Sequence, residues 1–486
     1  MNAKQEIAAR VPTRRGLARN ALFLSLLALF GTVEAGWGQT QGTTGGSNVS
    51  FTFDFGPPGA RSLGMGGAFL GLADDATAAY TNPAGLTNLT VGGPEVAMEI
   101  QSRNVTEVHS TEDHALGSPS GYGIDTRAEP FLQKDEGQTT GLSFLSVGYV
   151  LPGGASLALY RHELLSFRMR SESQGLFLGP LNGLYIRTPA SQLVQDATVV
   201  NLGLSGAYEV QVPFTPWKDS LSLGVGVSLY HLDLLSRADR YLQNPACGCV
   251  LDRGPDGFFG PNLFLGDLYT GSEEEVGDDN DIRFSLGVLW KIGERERWRL
   301  GGVYRQSPRF STRKFTLSDS GEITDTGVGS FTIPDSYGVG VAYSTNEGRT
   351  KVALDYNRIR YSQRRAELVK SVKGGLPQEV LDFFDLRFEI KDSDQLHLGF
   401  EQVFPILEPD LIGTLRLGAW REPAHELEYV GSSPIFRDLA GPALGKAQNH
   451  FAVGLGVVLK ENVEVDVAAD FSDLRDTVSV SIVKFF

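Results

Sequence analysis

Few side chains in this sequence stand at spacings that could do chemistry. His109, Glu112, Asp113 and His114 offer metal-ligating atoms, but no tight ligand spacing repeats, so they read as solvated loop residues. Glu273-Glu274-Glu275 and Asp278-Asp279-Asn280-Asp281 lack the spaced glycine and distal Glu of a calcium loop. They read as a hydrated loop tip, with divalent-ion bridging to lipopolysaccharide as the alternative. Cys247-Gly248-Cys249 is either a local oxidised staple or half of a zinc site whose other ligands are not visible. Gly64-x-Gly66 has Phe69 where a dinucleotide fingerprint needs its third glycine. No G-x-S-x-G elbow occurs, and His162, His231 and His397 have no evident nucleophile and acid partner. The expectation is a protein that is not an enzyme and uses no cofactor or metal. A lipase triad assembled from distant strands is the enzymatic alternative.

The elements that would position any site recur with a period of two. In residues 281–292, Ile282, Phe284, Leu286, Val288, Trp290 and Ile292 fall on one face. Arg283, Ser285, Gly287 and Lys291 fall on the other, with Leu289 the exception. Fourteen such segments are found, from 94–104 to 476–486. The links between them alternate: short ones such as Leu151–Gly154 and Gly293–Arg295, then long ones such as 105–141 and 236–280, with only the last long position, Asp473–Arg475, short. An even strand number with loops sorted by length predicts an all-β chain: a transmembrane antiparallel β-barrel of about fourteen strands.

Composition and the N-terminus agree. Forty-three basic against 58 acidic residues argue against a surface that grips nucleic acid phosphates. Lys4, Arg10, Arg14, Arg15 and Arg19 precede an apolar run, Ala21 to Phe30, with small residues near Ala35. That is a secretory signal, expected to be cleaved after about residue 35, and too short to span a bilayer. Glycine supplies 58 of 486 residues and recurs inside strands, as in Gly224-Val225-Gly226, Gly338-Val339-Gly340 and Gly454-Leu455-Gly456. On a lumen face these leave space for a plug or ligand, or else ease curvature. Phe486 ends an alternating last segment, as an assembly signal of outer-membrane proteins would.

Residues 56–90 differ in kind: small, weakly polar and rich in glycine and alanine. The runs Gly59-Ala60-Arg61-Ser62-Leu63-Gly64-Met65-Gly66-Gly67-Ala68, Ala73-Asp74-Asp75-Ala76 and Asn82-Pro83-Ala84-Gly85-Leu86 resemble the N-terminal hatch of the FadL family. That family comprises outer-membrane transporters of long-chain fatty acids and aromatic hydrocarbons. The resemblance implies a signal peptide over 1–35, a hatch over 36–92 and a barrel over 93–486, with Asn82, Pro83 and Ala84 as the hatch motif. Because proline fixes φ and the residue before it leaves the α region, a structural role for this motif outweighs ligand contact. Outer-membrane proteins resembling PorV share the same opening and act as shuttles or scaffolds in protein secretion, so that reading stands as the alternative.

The resemblance further implies passive uptake of hydrophobic small molecules into the bacterial outer membrane, with sideways release gated by the hatch. Phe258, Phe259, Phe264 and Tyr269 in the third long link are the candidates for adsorbing ligand. Expected partners are the hydrophobic ligand, outer-membrane lipids and lipopolysaccharide, and the barrel-assembly machinery. Nucleic acid is not among them, and the protein is expected to be a monomer.

Overall fold

The computed structural model describes residues 53–111, 131–173, 177–181, 184–187, 190–212, 219–242, 268–293, 295–345, 348–374, 387–407, 411–425, 427–432, 447–460 and 462–486. Its strands are β1 Glu95–Thr111, β2 Phe131–Val150, β3 Ser156–Ser173, β4 Phe177–Leu181, β5 Leu184–Arg187, β6 Ala190–Gln211 and β7 Ser220–Leu242. There follow β8 Leu268–Ile292, β9 Trp298–Arg305, β10 Arg309–Leu317, β11 Ile323–Thr332, β12 Ser336–Ser344 and β13 Thr350–Ile359. The last are β14 Phe388–Glu389, β15 Ser393–Leu407, β16 Leu411–Glu422, β17 Glu428–Tyr429, β18 Gln448–Leu459, β19 Val463–Phe471 and β20 Arg475–Phe485. Helices are short: α1 Ala60–Gly64, α2 Ala78–Thr81 and α3 Arg365–Gly374, with 3₁₀ turns at Pro83–Asn88 and Tyr361–Arg364.

Antiparallel pairing runs β8-β7-β6-β3-β2-β1-β20-β19-β18-β16-β15-β13-β12-β9, and a further β8–β9 pairing closes the ring. The result is a closed barrel of fourteen strands. Each corresponds to one of the fourteen segments read from the sequence. Hairpin β10–β11 is paired to β8 beyond the ring.

The outer face decides which side is wet. Leu286 is 55 % exposed, and Ile282, Phe284, Val288 and Trp290 stand exposed beside it. On the alternate positions of β8, Leu289 is fully buried and Lys291 is 4 % exposed. Neighbouring β7 repeats the scheme with Leu223, Val225, Val227 and Leu229 outward, against Ser222, Ser228 and Tyr230 inward. A belt of alternate apolar residues about ten residues tall, facing out around the ring, is what a bilayer solvates. The barrel is transmembrane. Among the described residues no helix is long and apolar enough to cross a membrane.

The strands on one side run far past this belt, and there the sequence reading needs correcting. Tyr269 and the acidic run Glu273–Asp281 lie within β8, not in a loop, and pair with β7 from Tyr241 to Tyr230. Above the bilayer both faces of β8 turn polar, so its alternation vanishes while the ladder continues. Cross-strand charges hold it there: Arg237 to Glu274 (2.9 Å), Arg240 to Glu273 (2.9 Å) and Lys314 to Glu275 (3.2 Å). His109 likewise belongs to β1. Glu112, Asp113, His114, Cys247, Cys249, Phe258, Phe259, Phe264 and residues 1–52 lie outside the described residues.

Candidate functional site: the lumen and its hatch

Residues 53–89 pack inside the lumen, and wall glycines make the space for them. A Cβ on Gly224 would sit 2.2 Å from Ala84 N, one on Gly418 2.1 Å from Gly66 N, and one on Gly301 2.1 Å from Leu70 O. Gly454 meets Gly64 almost backbone to backbone. Space for a plug is therefore the role of these positions, although Gly226, Gly340 and Gly456 accommodate Ser285, Asp355 and Asp466 of the wall itself. Inside the hatch, α1 stops where Gly66 and Gly67 take φ of +62° and +77°, a conformation cheap only for glycine. Their N–H groups return to the carbonyls of Leu63 and Ser62 (both 2.9 Å).

The wall satisfies the hatch backbone with its own side chains. Asp355 on β13 accepts from the N–H of Phe69 (2.7 Å) and of Leu70 (2.8 Å). Glu95 accepts from Ala76 N (2.8 Å), and Ser205 donates to Ala79 O (2.7 Å). Arg305 donates to the carbonyls of Tyr80 and Thr81. The carbonyl of Gly66 accepts from His397 Nδ1 (2.7 Å). Irregular backbone in a lumen needs partners for every buried polar group, and these bonds provide them.

The hatch motif is part of this pinning. Asn82 is fully buried and caps the 3₁₀ turn through Ala84 N (3.3 Å). Its amide donates to Leu70 O in the hatch and to Val288 O on β8 (both 3.1 Å). Pro83 occupies the first turn position, where no N–H is needed, and Ala84 is fully buried where strand glycines leave room. The placement of all three is architectural.

A buried ion network adds charge to the pinning. Arg61 reaches Glu401 on β15 (2.8 Å) and Asp74 (2.5 Å), while Lys351 on β13 reaches Glu401 (2.8 Å). Arg416 on β16 contacts Glu401 (2.7 Å), Glu464 (3.0 Å) and Asp466 (2.6 Å). Burial pulls the Arg61 pKa down, but Asp74 and Glu401 more than offset it and hold the group well above its ordinary value, so it stays charged.

Above the hatch, the lumen becomes apolar. Leu164, Leu165, Phe167 and Met169 of β3, Ala197 and Val199 of β6, and Tyr230, Leu232 and Leu234 of β7 form one buried cluster with Phe53 of the lumenal segment. Phe310 and Phe331 of the hairpin, and Tyr361 before α3, complete it. Beneath it lies a cavity lined by Phe53, Phe55, Phe167 and Ile359 on its apolar side, and by Arg103, His162, His397 and Trp420 on its polar side. Trp420 is stacked between His397 (5.0 Å) and His450 (3.7 Å). Residues 53–58, which we call the strap, lie across this cavity.

Beside the cavity the ladder of the wall is split, although the strands stay in contact: a Cβ on Gly137 of β2 would sit 2.5 Å from Arg168 O of β3. β2 pairs with β3 only from Val150↔Ser156 to Phe144↔His162, although both strands continue. Bulges sit where the ladder ends, at Ser143 on β2 and Leu164 on β3. Beyond them, Thr139 Oγ1 donates to Ser166 O (3.3 Å), and Arg161 Nη1 donates to Leu142 O. Nothing in the alternation of these segments announces the split; two adjacent buried positions on each strand are its only trace.

The remaining sequence candidates are dispersed. Phe486 is exposed at the short-turn end, where its N–H meets Pro94 O (3.1 Å). Tyr269 stands on β8 near its start. His231 is exposed on β7, beside Asn280 (3.2 Å).

No protein-family model matches the chain, and no curated protein sequence matches it. Solved structures do. A crystal structure of a Pseudomonas aeruginosa FadL homologue superimposes with a TM-score of 0.52 at 12 % identity, covering 90 % of this chain and 99 % of that one. The Pseudomonas putida toluene transporter TodX gives 0.50 at 17 % identity, covering 89 % and 99 %. The fold is FadL-like. Identities this low speak to architecture alone. The FadL-like barrel here shares its layout with these structures, while its lumen side chains must be read on their own terms.

Proposed function

We propose that this chain is an outer-membrane channel for passive uptake of hydrophobic small molecules, long-chain fatty acids or hydrocarbons, with release sideways through the wall. The observation that carries the reading is the apolar cluster inside the lumen, set directly above a hatch pinned on all sides. A lumen meant only for ions and water has no use for Phe167, Leu232 and Phe310 on its inner face. An apolar ligand entering it gains about 0.8 kcal/mol for each CH₂ removed from water. The ligand displaces the strap from the cavity, since Phe53 fills the space otherwise open to it. It leaves between β2 and β3, beyond the point where their ladder ends. Two structural neighbours, a FadL homologue and a toluene transporter, point the same way.

In this reading residues 1–35 are a cleaved signal, 36–92 the hatch and 93–486 the barrel. The short turns face the periplasm, the long links face outward, and Phe486 is the assembly signal. Phe258, Phe259, Phe264 and Tyr269 first adsorb ligand at the outer mouth, and no catalysis takes place. The test is uptake of a fluorescent acyl probe by proteoliposomes holding intact protein or a variant lacking residues 40–90. Intact protein should exceed empty liposomes, and the deletion should change probe uptake and ion leakage. Uptake equal to empty liposomes would sink the transport reading. A stoichiometric protein co-purifying without lipid would put a PorV-like shuttle in its place.

A further inference from the structure

Three polar groups on the cavity wall have no partner among the described residues: Gln101 Oε1, Arg103 Nε and His162 Nδ1. Their residues are 7 %, 8 % and 2 % exposed, so bulk water does not reach them freely. A buried donor or acceptor without a partner is costly, and three on one patch of wall call for a reason. Gln101 and Arg103 are alternate inward positions of β1, and Glu163, next to His162 on β3, meets Arg103 at 3.7 Å. The His162 imidazole rests against the Tyr80 ring of the hatch, with centroids 4.0 Å apart.

Charge in the cavity is already balanced. Arg103 gives one terminal nitrogen to Asp54 (2.9 Å) and the other to Glu163 (3.7 Å), which leaves Nε–H as a donor on a neutralised group. Arg475 faces Glu422 (3.8 Å), and Arg305 donates to the carbonyls of Tyr80 and Thr81. Against these three guanidinium groups the lining sets the carboxyl groups of Asp54, Glu99, Glu422 and Asp470. None of the three is left over for an anionic head, and a carboxylate brought here would add like charge to a low-dielectric site. Phe167 and Ile359 on the apolar side suit a hydrocarbon body.

We propose that the cavity binds a hydrophobic alcohol, an uncharged molecule whose hydroxyl sits on Gln101, Arg103 and His162. This rests on the transport reading and narrows its substrate class. A hydroxyl carries one donor and two acceptor lone pairs. It donates to Gln101 Oε1 and accepts from Arg103 Nε–H, and His162, as the Nδ1–H tautomer, donates to its second lone pair. An alkane leaves all three groups unpaired. A carboxylate accepts only, so it has nothing to offer the Gln101 oxygen. All three residues belong to the wall, and Glu163 keeps Arg103 paired when a ligand takes the place of the strap.

The test is calorimetry on full-length protein in lipid nanodiscs with octane, 1-octanol and octanoate at pH 8. Each affinity is corrected for partition of the probe into empty discs. Wild type should bind 1-octanol about ten-fold more tightly than octanoate, or better. Gln101→Met keeps the length of the side chain and removes the acceptor. It should lower the ratio of 1-octanol to octane affinity about two- to ten-fold, the worth of one hydrogen bond. His162→Phe, which keeps a ring against Tyr80, should lower the same ratio. The wild-type comparison needs no variant, so it decides the matter if a substitution prevents assembly. Equal or tighter binding of octanoate overturns the hydroxyl site, as does an unchanged ratio in both variants. Octane or octanoate bound without preference for 1-octanol removes the hydroxyl site and leaves transport standing. Binding of none of the three removes both. A preference for 1-octanol in a protein whose proteoliposomes take up no probe keeps the site and removes the transport reading alone.

Discussion

The two sides of the barrel wall face the same lumen and are built on opposite principles. On the tall side, β2, β3, β6, β7 and β8 have 20, 18, 22, 23 and 25 residues, or at the longest roughly 80 Å of extended chain. On the short side, β9, β12, β13, β15, β16, β18, β19 and β20 have 8 to 15. The tall side lines its upper lumen with Leu164, Phe167, Met169, Val199, Leu232 and Leu234. Inward from the short side come Lys351, Asp355, His397, Glu401, Arg416, His450, Glu464, Asp466 and Asp470, all but Lys351 almost fully buried. One side is an apolar wall packed against Phe53 of the strap and the hairpin; the other is a charged socket that fixes the hatch. Division of labour follows. Holding a plug needs directional bonds to backbone, whereas passing an apolar molecule needs a surface that bonds to nothing in particular.

The sharpest way to break this comparison is to remove the centre of the socket. Arg416 is fully buried and contacts three carboxylates. Arg416→Ala leaves Glu401, Glu464 and Asp466 facing one another in a low-dielectric lumen, at a cost of about 3–5 kcal/mol. The loss should appear as a lower urea midpoint for unfolding from lipid vesicles. A midpoint within error of wild type would mean that the network contributes nothing and that the hatch is held by backbone bonds alone.

Next in size is the outer face, which both sides share. Leu286→Arg places a charge in the exposed belt of β8 and should cost about 2–4 kcal/mol near the bilayer midplane, while Ser285→Arg, facing inward, should cost less. Equal losses would mean that the belt does not meet lipid. The same inference predicts precipitation when detergent is withdrawn; a monomer that stays folded in plain buffer would remove the membrane assignment.

How much of this was legible in the sequence differs between the two sides as well. The apolar belt is periodic, so all fourteen strands were readable from alternation, and the signature around Asn82-Pro83-Ala84 marked the hatch. The tall extensions were not readable, because outside lipid β8 carries polar residues on both faces and Glu273–Asp281 looks like a loop tip. Nor was the socket: Arg61, Glu401, Arg416 and Asp466 are scattered over 405 positions, and only closure of the barrel brings them within 3 Å of one another's partners. Inward charges on strands such as Glu464 and Asp466 looked like an ordinary polar face. The β2–β3 split lies in register, which no single-strand pattern carries. The strand glycines were legible as a pattern but ambiguous in meaning until hatch backbone appeared against them.

A smaller effect tests that meaning. Gly418→Ala drives a Cβ to 2.1 Å from Gly66 N, with backbone rather than a flexible side chain in the way. Overpacking of this kind costs about 1–3 kcal/mol, and here the hatch is the part able to yield. Conductance across a planar bilayer should rise as the hatch lifts. Gly206→Ala is the control, since its Cβ meets only a terminal methyl of Leu157 at 3.1 Å and carbonyl oxygen at 3.6 Å. A conductance rise in Gly206→Ala but not in Gly418→Ala would reverse the assignment of close-approach glycines to the plug.

The smallest predicted effect asks which side of the wall a ligand reads. Phe167 from the tall side and Trp420 from the short side line the same cavity. Trp420 is already committed: it is stacked between two histidines and donates to Asp470 Oδ1 (3.3 Å). Phe167 packs within the apolar cluster and lines the cavity with its side chain. Phe167→Leu keeps the surface apolar, and hydrophobic swaps of similar volume cost less than about 1.5 kcal/mol in stability. For an aromatic ligand it removes a ring contact worth about 0.5–1.5 kcal/mol. Toluene binding to the purified protein should weaken by about two- to ten-fold on that arithmetic, and octane binding by much less. Trp420→Leu should change neither by as much, and its main effect should be on the histidine stack beside the hatch. If Trp420→Leu weakens toluene more than Phe167→Leu does, the ligand lies against the charged socket, and the tall side is scaffolding for the outer loops rather than the surface that selects apolar molecules.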